Sequence, residues 1–328
     1  MFAALTLTAA LILGLASSHA RAQTAGGSTM QAYPAKPIRV VVPFTPGSAS
    51  DILARVVGDK LSESLGQPVI VENRPGAGGT IGTGAVAKAA PDGYTLVVVS
   101  AGHVVNPVLY ANLPYDTLRD FAAVIPLGNL PSVLTVAPSL GVTSVQQLVA
   151  LAKSKPASLN YASGGVGSAS HVNAEKFLRA TGISAVHIPL KGAQDMITET
   201  MTGRTHFGFN PIIATLPAIR DGRLIPLAVS SAKRATVLPE VQTVSEAGVP
   251  GAEFNFWIGL LAPVKTPRDI VAKLNAEIGR ILQAPDVKER LSRLGAEPMP
   301  MTPDQFDAYM LEEFTALSAV LKAPVTTK

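Results

Sequence analysis

Two short turns rich in glycine and serine carry the residue types that bind anions. The first, PFTPGSASD, follows the apolar run Val40–Phe44, and the second, SGGVGSASH, follows Asn160-Tyr161-Ala162. Apolar residues return at helical spacing after each turn, which predicts a strand, a tight turn and a helix. The N-terminus of a helix has free backbone N–H groups and a partial positive charge of about half a unit. Because small residues let a ligand approach that backbone closely, each turn predicts an anion-binding site.

A helix that is merely capped would show the same residues in the first turn. Ser48 or Ser50 can cap the helix, and Asp51 is favourable in its first turn. The turn lacks the spacing of a Walker A loop, of a dinucleotide-binding fingerprint and of a nucleophile elbow. The second turn approaches the dinucleotide pattern through Gly165 and Gly167 but has no third glycine. The presence of two such turns favours a small anionic ligand held between them.

The residues predicted to bind a ligand lie in these two turns, at the ends of two further strands and just after one of them. They are Phe44, Thr45, Pro46, Gly47, Ser48, Ala49, Ser50, Asp51, Ser100, His103, Ser163, Gly165, Gly167, Ser168, Ala169, Ser170, His171 and Asn210. Packing is an alternative role for His103 and His171, and a structural role is expected for His187. The histidine spacing matches no metal motif, so no metal ligand is predicted. Spacing does not decide whether a Ser–His–Asp triad exists, but no serine has a recognisable activated context, so no catalytic residue is predicted. No cofactor is predicted.

Composition limits the class of protein. The chain has 328 residues, of which 47% are hydrophobic and 15% are charged, so it can bury sizeable cores. It has no cysteine, which excludes disulfides and thiolate metal sites. The formal net charge is +4, but the basic residues are spread along the chain. No nucleic-acid-binding stripe is therefore expected.

The N-terminus has the pattern of a cleavable signal peptide. Residues 1–22 contain a short apolar core, and Ala20-Arg21-Ala22 fits the small-x-small cleavage rule. Residues 23–35 are small and polar, which predicts a flexible segment. We therefore expect an exported protein that is located in the periplasm and is a monomer.

The remaining sequence alternates between strand and helix patterns. Such alternation predicts an α/β protein with crossover connections and mostly parallel sheets. A long irregular connector at 232–253 suggests a passage between domains. We predict that domain 1 comprises residues 36–135 and 254–328, with the C-terminal helices packed on it, and that domain 2 comprises residues 136–253.

Six ordered motifs resemble one family over nearly the whole mature chain. They are YPAKPIRVVVPFTPGSASDILAR, VENRPGAGGTIGTGAVAKAAPDGYTL, LNYASGGVGSASH, LAVSSAKR, VSEAGVPG and WIGLLAP. Together they are similar to the Bug-type solute receptors of tripartite tricarboxylate transporters. The resemblance implies a two-domain, type II Venus flytrap fold without enzyme activity. It also implies that a small carboxylate binds in the cleft, that both turns contact it largely through backbone N–H groups, and that a membrane permease is the partner.

Two departures from the family pattern bear on the ligand. Ser48 stands where many members have a second glycine, and Asn210 stands where many have an aspartate. A neutral Asn210 does not suit an ammonium group, so we expect a di- or tricarboxylate or an aromatic carboxylate without an amino group. The alternatives are a ligand-sensing receptor for a membrane kinase and an exported hydrolase using Ser168 or Ser170.

Overall fold

Ten strands and ten α-helices alternate along residues 33–322, which are the residues that the computed structural model describes. The predicted signal peptide at 1–22 and most of the 23–35 segment lie outside this range. The strands are β1 (Ile38–Val42), β2 (Val69–Asn73), β3 (Thr95–Ser100), β4 (Phe121–Leu130), β5 (Ser132–Val136), β6 (Asn160–Ser163), β7 (Val186–Pro189), β8 (Phe207–Pro211), β9 (Ile225–Val229) and β10 (Phe256–Pro263). The helices are α1 (Ala49–Leu65), α2 (Thr80–Ala87), α3 (Asn106–Leu109), α4 (Val145–Ser154), α5 (Ala169–Thr181), α6 (Ala193–Met201), α7 (Ile212–Arg220), α8 (Arg268–Gln283), α9 (Pro285–Arg293) and α10 (Pro303–Lys322).

The strands form two five-stranded sheets. Their orders are β2-β1-β3-β10-β4 and β7-β6-β8-β5-β9. Strands β1, β2 and β3 pair in parallel, as do β6, β7 and β8, whereas β10 and β5 each pair antiparallel with both neighbours. Four of the five strands in each sheet therefore run in the same direction, as predicted, and β10 and β5 are the antiparallel exceptions. Each sheet is mixed, while the α/β class is confirmed.

Each sheet is covered by helices and has its own apolar core. In the second sheet, the ring of Phe177 in α5 meets that of Phe209 in β8, with 5.5 Å between centroids. Both belong to a core cluster that also contains Phe207 of β8 and Leu148 of α4, and all four are fully buried. In the first sheet, α1 lies on β2, and both α8 and α10 pack on β4. Helices α8 and α10 thus cover the first sheet.

The chain passes twice between the sheets. The first passage is at Pro131, between β4 and β5, and the second is the segment 230–255, between β9 and β10. Because β5 begins at Ser132, residues 132–135 pair in the second sheet. The exact domain boundaries, 135/136 and 253/254, stay a prediction. Each sheet with its helices is called a lobe below, lobe 1 containing β1 and lobe 2 containing β6.

Four elements were not predicted from the sequence: α3, β4, α7 and α9. Strand β4 contains Pro126, which is tolerated because the register with β10 shifts next to its partner, Gly259. Helix α7 follows β8 without a turn and contains Pro217. Within residues 33–322, no helix combines the length and apolar character needed to cross a membrane.

Candidate functional site

Four helices begin at one cavity between the two lobes. The N-cap residues of α1, α5, α6 and α7 are Ser48, Ser168, Gly192 and Pro211, and all four line the cavity. Each helix brings the positive end of its dipole to this point. Their convergence favours a negatively charged ligand.

The walls of the cavity contain no ionisable side chain. Five serine hydroxyls share the surface with apolar and small residues, and the volume is about 30 Å³. The lining residues are Phe44, Ser48, Ala49, Ser50, Ser100, Gly164, Ser168, Ala169, Ser170, Gly192, Ala193, Met196, Pro211 and Phe256. Any charge on a ligand here must therefore be met by backbone N–H groups, helix dipoles and hydroxyl groups.

The first turn is held by a buried carboxylate. Asp51 accepts hydrogen bonds from the Gly47 N–H (2.9 Å), from Arg55 Nε (3.0 Å) and from Asn73 Nδ2 (2.9 Å). Burial works to raise the pKa of Asp51, but hydrogen bonds from Arg55, Gly47 and Asn73 outweigh it and lower the pKa. Asp51 is thus an ionised structural group whose oxygens are occupied, and it does not line the cavity.

The second turn is held by hydroxyl groups and a histidine. Ser170 Oγ accepts from the Gly164 N–H (2.9 Å) and lies 3.1 Å from Ser168 Oγ. The Gly167 N–H donates to Nδ1 of His171 at 3.2 Å. Burial lowers the pKa of His171 to about 4, so its ring is neutral near pH 7.

Capping leaves two N–H groups per turn for a ligand. Ser48 Oγ accepts from the Asp51 N–H, and Ser168 Oγ accepts from the His171 N–H. The two preceding N–H groups of each helix have no intrahelical acceptor. They belong to cavity-lining residues, namely Ala49 and Ser50 in α1 and Ala169 and Ser170 in α5.

The lobes contact each other around the cavity. Tyr110 Oη, in lobe 1, donates to the Val166 carbonyl oxygen, in lobe 2, at 2.6 Å. Gln194 Nε2, in α6, donates to the Gly47 carbonyl oxygen at 3.2 Å. Gly102 lies so close to the second turn that an added Cβ would be 2.1 Å from the Gly167 carbonyl oxygen. The structure is therefore a closed arrangement of the two lobes.

Replacing Tyr110 with phenylalanine should weaken ligand binding without changing stability. The hydroxyl also lies 2.9 Å from the Ala77 carbonyl oxygen in lobe 1, an exposed contact whose loss costs little stability. The bond to Val166 exists only when the lobes touch, so we expect its loss to lower the affinity about three- to tenfold. Calorimetric titration with a ligand bound by the wild type measures the loss. Tyr94→Phe, in a turn of lobe 1 before β3, is the matched control. Equal affinities of both variants and the wild type would show that the hydrogen bond from Tyr110 to Val166 does not stabilise the closed arrangement.

Other residues predicted to bind a ligand lie near the cavity without lining it. His103 is buried between the rings of Tyr115 and Phe121, with centroid distances of 5.7 and 5.4 Å. It lines a separate cavity of about 10 Å³, which shares Phe44 and Ser100 with the main one. Burial lowers the pKa of His103 to about 4.

Asn210 and Ser163 are fully buried beside the turn residues. Asn210 donates from Nδ2 to Thr135 Oγ1 at 2.8 Å. Ser163 Oγ accepts from the Gly165 N–H at 3.0 Å and lies 2.5 Å from Nε2 of His187. These contacts give both residues structural partners, and their roles toward a ligand stay predictions.

Thr45, Pro46 and Gly47 form the outer part of the first turn. The Thr45 carbonyl oxygen accepts from the Ser48 N–H at 3.1 Å, and Pro46 is exposed. Gly47 has a φ of 76°, a conformation that favours glycine. These residues shape the turn that presents Ser48 to the cavity.

Six lining residues were not among the sequence predictions. They are Gly164, Gly192, Ala193, Met196, Pro211 and Phe256. The sequence LKGAQ contained a signal for Gly192 and Ala193, because helical spacing begins immediately after Gly192. Phe256 and Pro211 had none, since their positions depend on β10 and α7.

A larger groove of about 800 Å³ lies away from this site, beside the second passage between the lobes. Its rim mixes cations such as Lys176 and Lys288 with anions such as Glu253 and Glu313. None of the four N-caps at the central cavity lines it. The central cavity is therefore the better candidate site, despite its smaller volume.

Two α/β lobes with a ligand site between them define a two-domain periplasmic-binding-protein fold, the Venus flytrap class of solute receptor. A family model described as "Tripartite tricarboxylate transporter family receptor" matches residues 53–324. The chain belongs to this family of Bug-type receptors, and the resemblance noted in the sequence is confirmed.

Three relatives illustrate the similarity. BugT of Bordetella pertussis is 38% identical over 292 residues, which are 88% of this chain and 90% of BugT. A structure from R. palustris, described as having adipate, is 35% identical with a TM-score of 0.85, covering 88% of this chain and 97% of that one. MatC from Rhodopseudomonas palustris, with bound malate, is 33% identical with a TM-score of 0.85, covering 88% of this chain and 100% of MatC.

Proposed function

We propose that this protein is a periplasmic receptor that binds a small carboxylate without an amino group and delivers it to a tripartite tricarboxylate-type permease. The convergence of four helix N-termini on an uncharged cavity carries this proposal. Such an arrangement stabilises a carboxylate through N–H groups and dipoles without a basic side chain. Relatives described with adipate and malate support a carboxylate as the ligand class.

The cavity offers no partner for an ammonium group. None of its lining residues is acidic. The nearby carboxylate of Asp51 already accepts from Arg55, Asn73 and Gly47. Burying an unpaired ammonium would cost several kcal/mol, on the order of the penalty for one uncompensated buried ion. We therefore expect di- or tricarboxylates or aromatic carboxylates to be preferred over amino acids.

Binding requires the lobes to move. A cavity of about 30 Å³ accommodates only one or two water molecules, so a carboxylate cannot enter without separation of the lobes. We propose that lobe 1 and lobe 2 move against each other, with hinges near 130–138 and 254–263. The ligand then shifts an equilibrium between open and closed arrangements, and no bond is made or broken.

The geometry gives the hydrolase alternative little support. The Ser168 and Ser170 hydroxyls are hydrogen-bonded to each other and to backbone N–H groups. Nδ1 of His171, the nearest histidine in sequence, accepts from Gly167 rather than from a serine. A serine nucleophile needs a base within hydrogen-bond reach.

Matched pairs of ligands test the proposal. Succinate with aspartate, and glutarate with glutamate, differ only in the amino group, while adipate, malate and benzoate widen the panel. We expect at least one compound without an amino group to raise Tm by several degrees at a concentration of about 100 times its Kd. Its amino counterpart, where one exists, should bind at least about tenfold more weakly. Binding of aspartate or glutamate but of no other member would contradict the proposed ligand class.

A further inference from the structure

The two ligand-binding turns are copies of one local structure. Both have the sequence Gly-Ser-Ala-Ser, at 47–50 and at 167–170. The glycines have φ values of 76° and 77°, and in each turn the serine N–H donates to the carbonyl oxygen three residues earlier at 3.1 Å. The serine then caps the helix through the N–H three residues later. The residue after this repeat is Asp51 in one turn and His171 in the other.

Asp51 and His171 make the same contact. The Gly47 N–H donates to Asp51 Oδ2 at 2.9 Å, and the Gly167 N–H donates to His171 Nδ1 at 3.2 Å. Both contacts span four residues and fix the glycine just before the N-cap. Since Nδ1 of His171 accepts this bond, the proton of the neutral ring is on Nε2, which lies 4.0 Å from Glu175 Oε1.

A stack of rings holds the His171 side chain in place. Its imidazole lies parallel to that of His187 with 4.3 Å between centroids, and His187 lies 4.8 Å from the ring of Tyr161. Nε2 of His187 in turn meets Ser163 Oγ, at the start of the same turn. The orientation of His171 is therefore set by lobe 2 itself and does not depend on a ligand.

The difference between the two residues follows from charge. The negative charge of Asp51 is balanced by Arg55, 3.0 Å away. His171 has no such cation hydrogen-bonded to it in the described chain, so an acidic residue there would place an unbalanced negative charge beside the N-terminus of α5. A neutral imidazole supplies the acceptor without repelling an anion.

We propose that His171 is a positioning residue that acts through Gly167 to hold the second turn in the conformation that directs the Ala169 and Ser170 N–H groups at the carboxylate. It performs for α5 the task that Asp51 performs for α1, and it does not itself touch the ligand. This inference rests on the proposed function for the role of the N–H groups. The Gly167 contact itself can be tested without any ligand.

The test compares three replacements of His171. His171→Asn keeps an acceptor near the position of Nδ1, His171→Leu removes it, and His171→Asp adds a negative charge to the acceptor. His206→Asn, which alters a histidine beside the opposite end of β6, is the control. Amide hydrogen exchange of Gly167 is measured by NMR in the ligand-free proteins. Affinities are measured with adipate and malate as probes.

We expect exchange at Gly167 to be at least about tenfold faster in His171→Leu and within about threefold of wild type in His171→Asn, as expected for one lost hydrogen bond. For any probe that the wild type binds, affinity should fall about tenfold or more in His171→Leu and His171→Asp and be retained in His171→Asn. His206→Asn should match the wild type in both measurements.

Two results would overturn the inference. One is Gly167 exchange in His171→Leu that equals that of the wild type. The other is an affinity that falls as far in His171→Asn as in His171→Leu while Gly167 stays protected, because His171 would then contact the ligand directly. If neither probe binds the wild type, the exchange data still decide whether His171 holds the turn, and only the proposed ligand class is put in question by that failure.

Discussion

Gly102→Ala is expected to abolish tight ligand binding while leaving the fold intact. A Cβ at this position would lie 2.1 Å from the Gly167 carbonyl oxygen and 2.6 Å from the Ala169 nitrogen. Both are backbone atoms of the second turn and cannot swing aside. The backbone of Gly102 is outside the left-handed region, so alanine causes no strain within lobe 1. The clash arises only when the lobes meet.

The expected affinity loss is of order 100-fold, because the closed arrangement becomes nearly inaccessible and apparent affinity scales with its population. The free energy of unfolding should change by less than about 1 kcal/mol. Titration calorimetry measures the first quantity and urea denaturation the second. Small-angle scattering should show compaction with ligand in the wild type only.

Gly279→Ala is the matched control for this prediction. Gly279 is in α8, and its Cβ would lie 3.8 Å from Ile125, an ordinary contact. This variant should bind like the wild type and be slightly more stable. Compaction of Gly102→Ala with ligand, at an unchanged affinity, would show that the lobes need not approach as closely as they do here.

Acidification from pH 7 toward pH 4 is expected to destabilise the protein strongly. Burial lowers the pKa of His103, His171 and His187 to about 4, and the charge of His171 further lowers that of His187. In the unfolded chain a histidine has a pKa of about 6.5. Between these values the unfolded chain binds more protons than the folded one. Stability is therefore complete above about pH 6.5 and is lost as the pH falls toward 4.

His103, which is fully buried, contributes roughly 3 kcal/mol to the free energy of unfolding over this range, at up to about 1.4 kcal/mol per pH unit. His171 and His187 are less deeply buried and stack on each other, so each contributes less. Urea denaturation at several pH values between 7 and 4 measures the total. His103→Phe replaces one ring with a neutral ring of similar shape and should reduce the pH dependence by at least about one third. A free energy of unfolding that is constant from pH 7 to pH 5 would contradict the prediction.

The strand-turn-helix units that carry the site were predictable because their signals are local. An apolar run, a glycine and a serine cap predict β1 with α1 and β6 with α5 to within two residues of the observed bounds. The serines at 48 and 168 lie at the predicted turns, and both line the cavity.

The remaining features depend on long-range contacts that a local pattern does not contain. Strand β4 is buried along nearly its whole length, so it shows no alternation, and its Pro126 and Gly128 are typical of loops. Pro217 obscured α7, and with it the role of Pro211 as a fourth N-cap at the cavity. Phe256 reaches the cavity only because β10 inserts antiparallel between β3 and β4.

The absence of ionisable side chains from the cavity walls has an evolutionary consequence. Main-chain N–H groups are present whatever side chains surround them. Replacing Met196 or Phe256 would therefore change the shape of the cavity around the rest of the ligand without removing the N–H groups that bind its carboxylate. Specificity in such a receptor can drift while anion recognition is inherited unchanged. Two relatives, each sharing about one third of its residues with this chain, are described with different acids, adipate and malate, which is consistent with that history.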